Sequence, residues 1–423
     1  MSIIVIGMLD EREEALKVIK NRIERRGHRS ILIDVSIGTG AIASSLKADV
    51  NCEDIARMGG GTIEQIKGML AKEREKATSM VAEGLTKKVT EFYQAGELQG
   101  VIAIAGMTGT FISLTAMKSL PFGVPKLLIS SVTAMPAYAN KLADYFGLRD
   151  ITVMHSVVDT VGLNPLVKTL AVNGANAICG MVEGWEPIKK EKKPSVALTE
   201  FGFCDKGAHY VRELLDKDYD IISFHATGLG DRAAVDLVSQ GFFEAFIDLV
   251  PASFSEFLFG GNRASGPNRL DAALHTSIPY ILAPCGFDMI SCGPIDRRDK
   301  GDPLWISRKL AERKILIQDA IRVQARTSVE EMETIAKATA EKLNQYPNKN
   351  LVKFIIPQKG FSSLSVEGGA LYDPIADKAF FEALRKYLNP EIKIVMVDTN
   401  INTPEFAQAI VEALQVGFES IKV

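Results

Sequence analysis

The chain has 423 residues, with 49 lysines and arginines against 52 aspartates and glutamates and a formal net charge of −3. Apolar residues at 47% and charged residues at 24% exclude disorder as the main description and match an ordinary globular chain. The near-neutral balance gives no electrostatic reason to expect nucleic acid or an anionic membrane as partner, and the length predicts two domains.

Predicted elements alternate from one end to the other. Ile3 to Ile6 reads as a buried strand. Asp10, with Glu13 three residues on, reads as a capping box for a helix that carries Leu16, Ile19 and Ile23 and stops at Gly27. Ile31 to Val35 is the second strand, and a long helical region runs from about Ile63 to Gln94. Val101 to Ala105 and Lys126 to Ser131 are the next strands, with a helix expected from Phe111. In the second half, strands are expected at Ile221 to His225, Tyr280 to Ala283, Val352 to Ile356 and Ile392 to Val397. Helices are expected around Ala233, Ile335, Leu384 and Ile410. Apolar strands alternating with helices predict an α/β protein of two Rossmann-like domains, each a mainly parallel sheet flanked by helices. The charged, proline-bounded stretch EGWEPIKKEKKP suggests domains at 1–185 and 195–423, with a surface linker at 186–194 that holds Lys189, Lys190, Lys192 and Lys193.

No apolar run approaches the roughly 20 residues of a membrane span. The opening MSIIVIG lacks the basic and long apolar regions of a signal peptide. Five cysteines without tight spacing do not form a disulfide framework, so a reducing, cytoplasmic setting is expected.

Ligands of parallel α/β sheets bind where strands end and loops turn into helices, so chemistry is expected in those loops. Gly106-Met107-Thr108-Gly109-Thr110 follows a strand directly. Glycines there let the backbone approach a ligand, and free N–H groups at a helix start attract phosphate. A tight strand-to-helix turn without ligand is the alternative. The loop has neither the Walker A lysine nor the dinucleotide fingerprint. Other polar strand ends carry Gly7, Asp34, Ser131 and Asp159. In the second half, His225 to Arg232, the loop Gly260 to Pro267 with Arg263, Cys285 to Asp288, and Lys359 to Ser362 follow the same logic. His225 could serve as a general base or be a hydrogen-bonded structural histidine. Cys285 could be a nucleophile or a small core residue, and Asp159, Asp231 and Asp288 could hold Mg²⁺ or cap their loops. No G-x-S-x-G or H-E-x-x-H motif occurs, and no histidines stand at metal-ligand spacing.

The stretches GMTGTFISLTAMKSLPFGVPKLLISSV, SVVDTVGLNPL, HATGLGDRA, GGNRASGPNR, CGFDM, ARTSVEE, KGFSSL, LYDPIAD and NINTPEFA follow one another along nearly the whole chain. Together they resemble a bacterial and fungal family of uncharacterised proteins. That family is related to the ATP-binding N-terminal domain of the tomato mosaic virus resistance protein. The resemblance implies two α/β subdomains, a homodimer and the ATP binding of the plant relative, and a ligand cleft between the two domains is expected. Its phosphate-type loop falls on Gly106, Thr108, Gly109 and Thr110, and its aspartate on Asp159. Its second-domain loop falls on His225, Thr227, Gly228, Asp231 and Arg232. Its arginine-threonine pair falls on Arg326 and Thr327, and its lysine-glycine turn on Lys359 and Gly360. The chain departs from the family at Gln318 and Asp319, and at Asn400 and Thr403, where histidine-containing pairs are usual.

The expected ligand is therefore ATP with Mg²⁺, or another nucleotide or phosphorylated small molecule. Gly7, Asp34, Gly106, Thr108, Gly109, Thr110, Ser131 and Asp159 are the expected binding residues, and Asp159 and Asp231 the expected metal contacts. An ATP- or phosphate-handling reaction on a small carboxylate or sugar acid would use His225, Asp231, Arg232, Asp288 and Lys359. Two alternatives stand beside it: a nucleotide-sensing or interaction module without catalysis, and a metal-dependent lyase or hydrolase using His225 and Asp288.

Overall fold

The computed structural model describes residues 1–40, 42–186, 188 and 193–421. Residues 187 and 189–192 of the expected linker, including Lys189, Lys190 and Lys192, lie outside the described ones. The chain divides into two compact units, residues 1–189 and 190–423.

The N-terminal unit runs β1 (Ser2–Gly7), α1 (Leu9–Arg25), β2 (Arg29–Asp34), α2 (Cys52–Met58), α3 (Ile63–Met69) and α4 (Arg74–Gln94). It continues β3 (Gly100–Ala105), α5 (Met107–Ser119), β4 (Lys126–Ser130), α6 (Ala139–Phe146), β5 (Thr152–His155) and α7 (Pro165–Glu183). Its five strands form a parallel sheet in the order β2-β1-β3-β4-β5. Strand residues alternate between two cores. Ile4, Ile6, Val101 and Ala103 pack with residues of α2 to α5. Ile3, Val5, Ile102 and Ile104 pack with residues of α1 and α7. Both faces are covered, which is why these strands read as continuous apolar runs.

Three local expectations are corrected. The capping box at Asp10 and Glu13 does not form, because α1 starts at Leu9 with Met8 as its uncapped N-cap. Asp10 instead accepts from the N–H groups of Gly38 and Gly40 at 3.2 and 3.1 Å. Glu13 accepts from Ser45 N, Ser45 Oγ and Leu46 N at 2.9, 2.6 and 2.9 Å. The predicted helix from Ile63 to Gln94 is broken between α3 and α4, and a capping box does form at Thr62 and Gln65. The helix expected from Phe111 begins at Met107.

The C-terminal unit runs β6 (Ser195–Glu200), α8 (Asp205–Leu215), β7 (Asp220–His225), α9 (Gly230–Ser239), β8 (Ala245–Asp248), α10 (Ala252–Phe259), β9 (Tyr280–Leu282) and β10 (Met289–Ser291). It continues α11 (Asp296–Asp299), α12 (Pro303–Ser307), β11 (Ile315–Ile317), β12 (Val323–Arg326), α13 (Val329–Leu343), β13 (Val352–Pro357), α14 (Pro374–Tyr387), β14 (Lys393–Val397) and α15 (Pro404–Ile421). The main sheet is parallel with order β14-β13-β9-β8-β6-β7. Beside it lies a small antiparallel sheet, β10-β12-β11, which the sequence reading missed because its strands are only three or four residues long. Both units are thus doubly wound α/β folds. Read from the first strand, they share one plan: the second strand lies on one side of the first, and the third, fourth and fifth follow on the other. The point where direction reverses lies between β1 and β3 in one unit and between β6 and β8 in the other. Ligands of this architecture bind at that point, beyond the carboxyl ends of the strands.

Candidate functional site

A cavity of about 310 Å³ opens at the reversal point of the N-terminal unit. It is lined by Glu11 and Arg12 of α1, Thr39, Arg74 of α4, Gly106 to Thr108, Ser131 and Val132 after β4, and Asp159 after β5. The register explains the convergence. Ile6 pairs with both Ile33 and Ala103, and Ala105 with Ser130, so the ends of β1, β2, β3 and β4 lie side by side. Everything that follows these strands opens onto the same edge.

Gly106 is the N-cap of α5, and no side chain caps the helix. Thr110 N already bonds Gly106 O at 2.9 Å, so the N–H groups just before it, at Met107 to Gly109, are the ones an α-helix leaves without an internal partner. Thirteen residues of aligned peptides add a positive potential at this end. Arg12 brings a full positive charge to the same place. A Cβ added to Gly106 would stand 2.5 Å from Arg12 Nη2, so glycine is what lets the guanidinium lie against the loop. Arg12 is only 4% exposed. Its Nε donates to Thr160 Oγ1 at 2.6 Å, its Nη2 to Asp159 Oδ1 at 3.3 Å, and its Nη1 to Glu11. The backbone bends to allow this: Arg12 has φ −135° and ψ 24° inside α1.

Of the expected binding residues, Gly106, Thr108, Ser131 and Asp159 line the cavity. Gly7, Asp34, Gly109 and Thr110 do not, and each has a packing role. A Cβ on Gly7 would meet Leu16 at 2.6 Å, and one on Gly109 would meet Ala105 Cβ at 3.1 Å. Thr110 bonds Ser130 Oγ at 2.7 Å in the core. Asp34 accepts from Leu9 N at 3.2 Å and from Ser36 N at 2.9 Å, which fixes the start of α1; burial pushes its carboxyl above the ordinary range. Sequence reasoning missed Arg12, Glu11 and Arg74. All three sit in helices, on which an arginine or glutamate reads as solvated surface. The one available signal was Arg12 itself, on a helical turn whose neighbours Ala15, Leu16 and Ile19 face the core.

The expected catalytic residues of the C-terminal unit are placed very differently. His225 ends β7 at the sheet edge and is exposed. Asp288 follows β9, three strands away, or roughly 14 Å at ordinary strand spacing. Lys359 follows β13, is exposed, and pairs with Asp398 at 3.0 Å. Asp231 is fully buried: it accepts from Gly228 N at 2.9 Å, from Ser253 Oγ, and from Arg269 Nε at 3.2 Å. Asp288 is equally buried and accepts from Gly286 N at 3.1 Å and from Ser362 Oγ. Arg232 lies half-buried on α9. Arg263 is held by Glu256 at 2.6 Å. Cys285 is wholly buried, and burial pushes its thiol far up, the opposite of an activated nucleophile.

The two expected metal contacts, Asp159 and Asp231, fall in different units. Among the described residues, no three or more histidine, cysteine, aspartate or glutamate side chains are grouped so as to hold a metal ion. The described helices include none long and apolar enough to cross a membrane.

The N-terminal unit matches the model of the uncharacterised protein family UPF0261 N-terminal domain over residues 1–187, and the C-terminal unit its C-terminal domain over 193–417. The chain belongs to the UPF0261 family. A UPF0261 protein of Clostridium tetani is 34% identical over 97% of this chain and 98% of its own. Another, from Rhizobium meliloti, is 30% identical over 97% and 98%. The tomato mosaic virus resistance protein Tm-1 of Solanum lycopersicum is 31% identical over 86% of this chain, which spans 46% of that longer protein. Among solved structures, a Methanocaldococcus jannaschii UDP-GlcNAc 2-epimerase matches at 9% identity over 67% of this chain and 83% of its own, with a TM-score of 0.22. A likeness that weak carries no argument about this UPF0261 member.

Proposed function

We propose that this UPF0261 protein binds a nucleotide or another phosphorylated small molecule in the cavity of its N-terminal unit, in the favoured form ATP with Mg²⁺. One observation carries the reading: the uncapped start of α5 and the buried guanidinium of Arg12 converge on Gly106, at the reversal point of a parallel sheet. Two sources of positive potential aimed at one spot favour an anion there, and backbone N–H groups at a helix start suit phosphate oxygens. Thr108 and Ser131 add hydroxyls, and Arg74 a second guanidinium at the rim. The cavity volume suits the phosphate-bearing end of the ligand. Asp159 is the one expected metal contact that lines the cavity, so Mg²⁺ would be held mainly by the ligand's own phosphates and water, with Asp159 in reach.

The spread of His225, Asp288 and Lys359 along the C-terminal sheet favours binding without chemistry over a lyase or hydrolase built on His225 and Asp288. An ATP- or phosphate-handling reaction on a small carboxylate or sugar acid is the enzymatic version of the same reading, and product formation distinguishes it. The homodimer implied by the family resemblance belongs to the proposal and is tested by light scattering.

The decisive test is a thermal-shift titration with ATP, ADP and AMP, with and without Mg²⁺. A ligand at a hundred times its Kd adds about 2.7 kcal/mol to the folded state. That raises the melting temperature of a unit this size by roughly 5–10 °C. Thr108→Glu, which sets a carboxylate in the half-buried cavity wall, should abolish the rise and leave the unliganded melting temperature within about 2 °C. No rise with any nucleotide at millimolar concentration would overturn the nucleotide reading.

A further inference from the structure

We infer that Asp159 is a displaceable internal counter-ion: in the free protein it is the second carboxylate on Arg12, beside Glu11, and the ligand's phosphate takes its place. The inference rests on the phosphate reading above and names how the site is kept neutral and what it selects.

The two ends of the Arg12–Asp159 pair are unlike. Arg12 is 4% exposed, whereas the Asp159 side chain is 72% exposed. A buried guanidinium needs an anion beside it, because leaving a charge unpaired in the interior is costly. Glu11, on the same helix, meets that need at Nη1 and stays in place, and Asp159 adds a second carboxylate through one oxygen at 3.3 Å, a long contact for a charged pair. Most of its carboxylate is already in water, so withdrawing it from Arg12 removes little and leaves nothing buried and unpaired on its own side. Thr160, 1% exposed and bonded to Arg12 Nε at 2.6 Å, is the fixed end of the same loop.

The loop that presents Asp159 is under strain. Val158 N bonds Ser156 O at 2.6 Å, closing a three-residue turn whose central residue, Val157, has φ +63°. A β-branched residue rarely adopts that conformation, and a tight turn of this hand is uncommon. Val157 is 80% exposed, so core packing does not hold it there. The loop is held on either side by the Ser156 N bond to Ser130 O at 3.1 Å, the Ser156 Oγ bond to Val158 O at 2.6 Å, the packing of Val158 against the core, and the contacts of Asp159 and Thr160 with Arg12. When Asp159 leaves, part of that restraint is gone and the turn is free to relax.

The exchange sets a charge requirement. A carboxylate ligand would replace one carboxylate by another and gain no charge at Arg12. A phosphate that carries two negative charges brings one more than it displaces, and it meets the free N–H groups of α5 as well. The site therefore selects a dianionic phosphate, such as a terminal phosphate or pyrophosphate, over carboxylates.

The test is calorimetric titration of the full chain with inorganic pyrophosphate, with ATP and with acetate, all without Mg²⁺. Asp159→Asn removes the competitor and should tighten pyrophosphate binding by roughly tenfold, with acetate binding only in the variant or not at all. Val157→Gly relieves the strain of the free state in advance. It should raise the unliganded melting temperature and weaken pyrophosphate binding roughly threefold, because binding no longer releases that strain. Both substitutions sit at exposed positions and leave the core untouched. Wild-type binding that is unchanged or weakened in Asp159→Asn, or unchanged in Val157→Gly, overturns the counter-ion inference and leaves the phosphate reading standing. Absence of pyrophosphate and ATP binding in both wild type and Asp159→Asn overturns the phosphate reading and this inference with it.

Discussion

The two reversal points of this molecule share a strand plan and differ in what their polar groups are doing. In the N-terminal unit, the loop after the third strand opens with Gly106, starts an uncapped helix, and faces a guanidinium paired with Glu11 and with a largely exposed aspartate, Asp159. In the C-terminal unit, the loop after the corresponding strand, β8, is Leu249-Val250-Pro251, fully buried. Proline there has no N–H to offer a ligand. Arg269 is inserted at that strand end and is wholly buried: it donates to Asp248 at 2.8 and 2.7 Å, to Asp231 at 3.2 Å and to Val250 O at 3.1 Å. Thr199 and Tyr280 donate to Asp248 as well, at 2.6 and 2.9 Å. The acceptors and donors at this point are spent on one another. A glycine-rich or charged strand end becomes a binding site only where its polar groups remain available. The same type of residue, an arginine beside an aspartate, is a lock in one unit and an exchangeable pair in the other.

Breaking the lock should have the largest effect. Arg269→Ala would leave Asp231 and Asp248 buried without their cation, and removing one partner of a buried ion pair costs about 3–5 kcal/mol. Chemical denaturation should show that loss in the C-terminal unit. A loss below about 1 kcal/mol would mean that the network is not what closes this end of the sheet.

Next comes the open site. Gly106→Ala puts a methyl where Arg12 Nη2 lies, and the flexible guanidinium can shift to make room. Ligand binding should weaken by about tenfold, equivalent to about 1.4 kcal/mol, while stability changes by less than about 1 kcal/mol. Equal losses in stability and affinity would make Gly106 a folding glycine like Gly7. The smallest effect concerns Glu13 of α1, whose carboxylate holds the backbone at Ser45 and Leu46. Hydrogen bonds from Ser45 and Leu46 hold the Glu13 carboxyl below its ordinary pKa of 4.5. A depressed carboxyl stabilises the fold above its unfolded pKa and loses that contribution as pH falls through the folded value. Glu13→Gln should therefore cost about 1 kcal/mol at neutral pH, and the difference from wild type should close in acid, in denaturation midpoints measured from pH 7 to pH 3. A difference that does not change with pH would assign the effect to packing.

Much of the fold was legible in the residues, and much less of the site. Strand runs such as Ile3 to Ile6 and Val101 to Ala105 are apolar on both faces because both faces are covered, so local pattern and tertiary position agree. The short antiparallel strands were illegible because three residues carry no measurable period. In the cavity lining, Gly106 and Thr108 were legible because an open strand-to-helix turn needs particular residues at adjacent positions. Gly109 and Thr110 stood in the same motif and turned out to serve packing, since the pattern that opens a loop also seats a helix on a strand.

By itself, then, the sequence determined the α/β class, the alternation of elements, the strand-end loops and the family resemblance. These depend on residue types within a few positions of one another. Only the tertiary structure decided that Arg12, 94 residues before Gly106, would lie against it, and that Asp159 and Thr160 would be its partners. It also decided that Asp231 would be locked to Arg269 rather than left free for a ligand. The physical reason is that burial and charge neutralisation are settled between elements brought together by sheet order, and sheet order is not written in any local stretch of the chain.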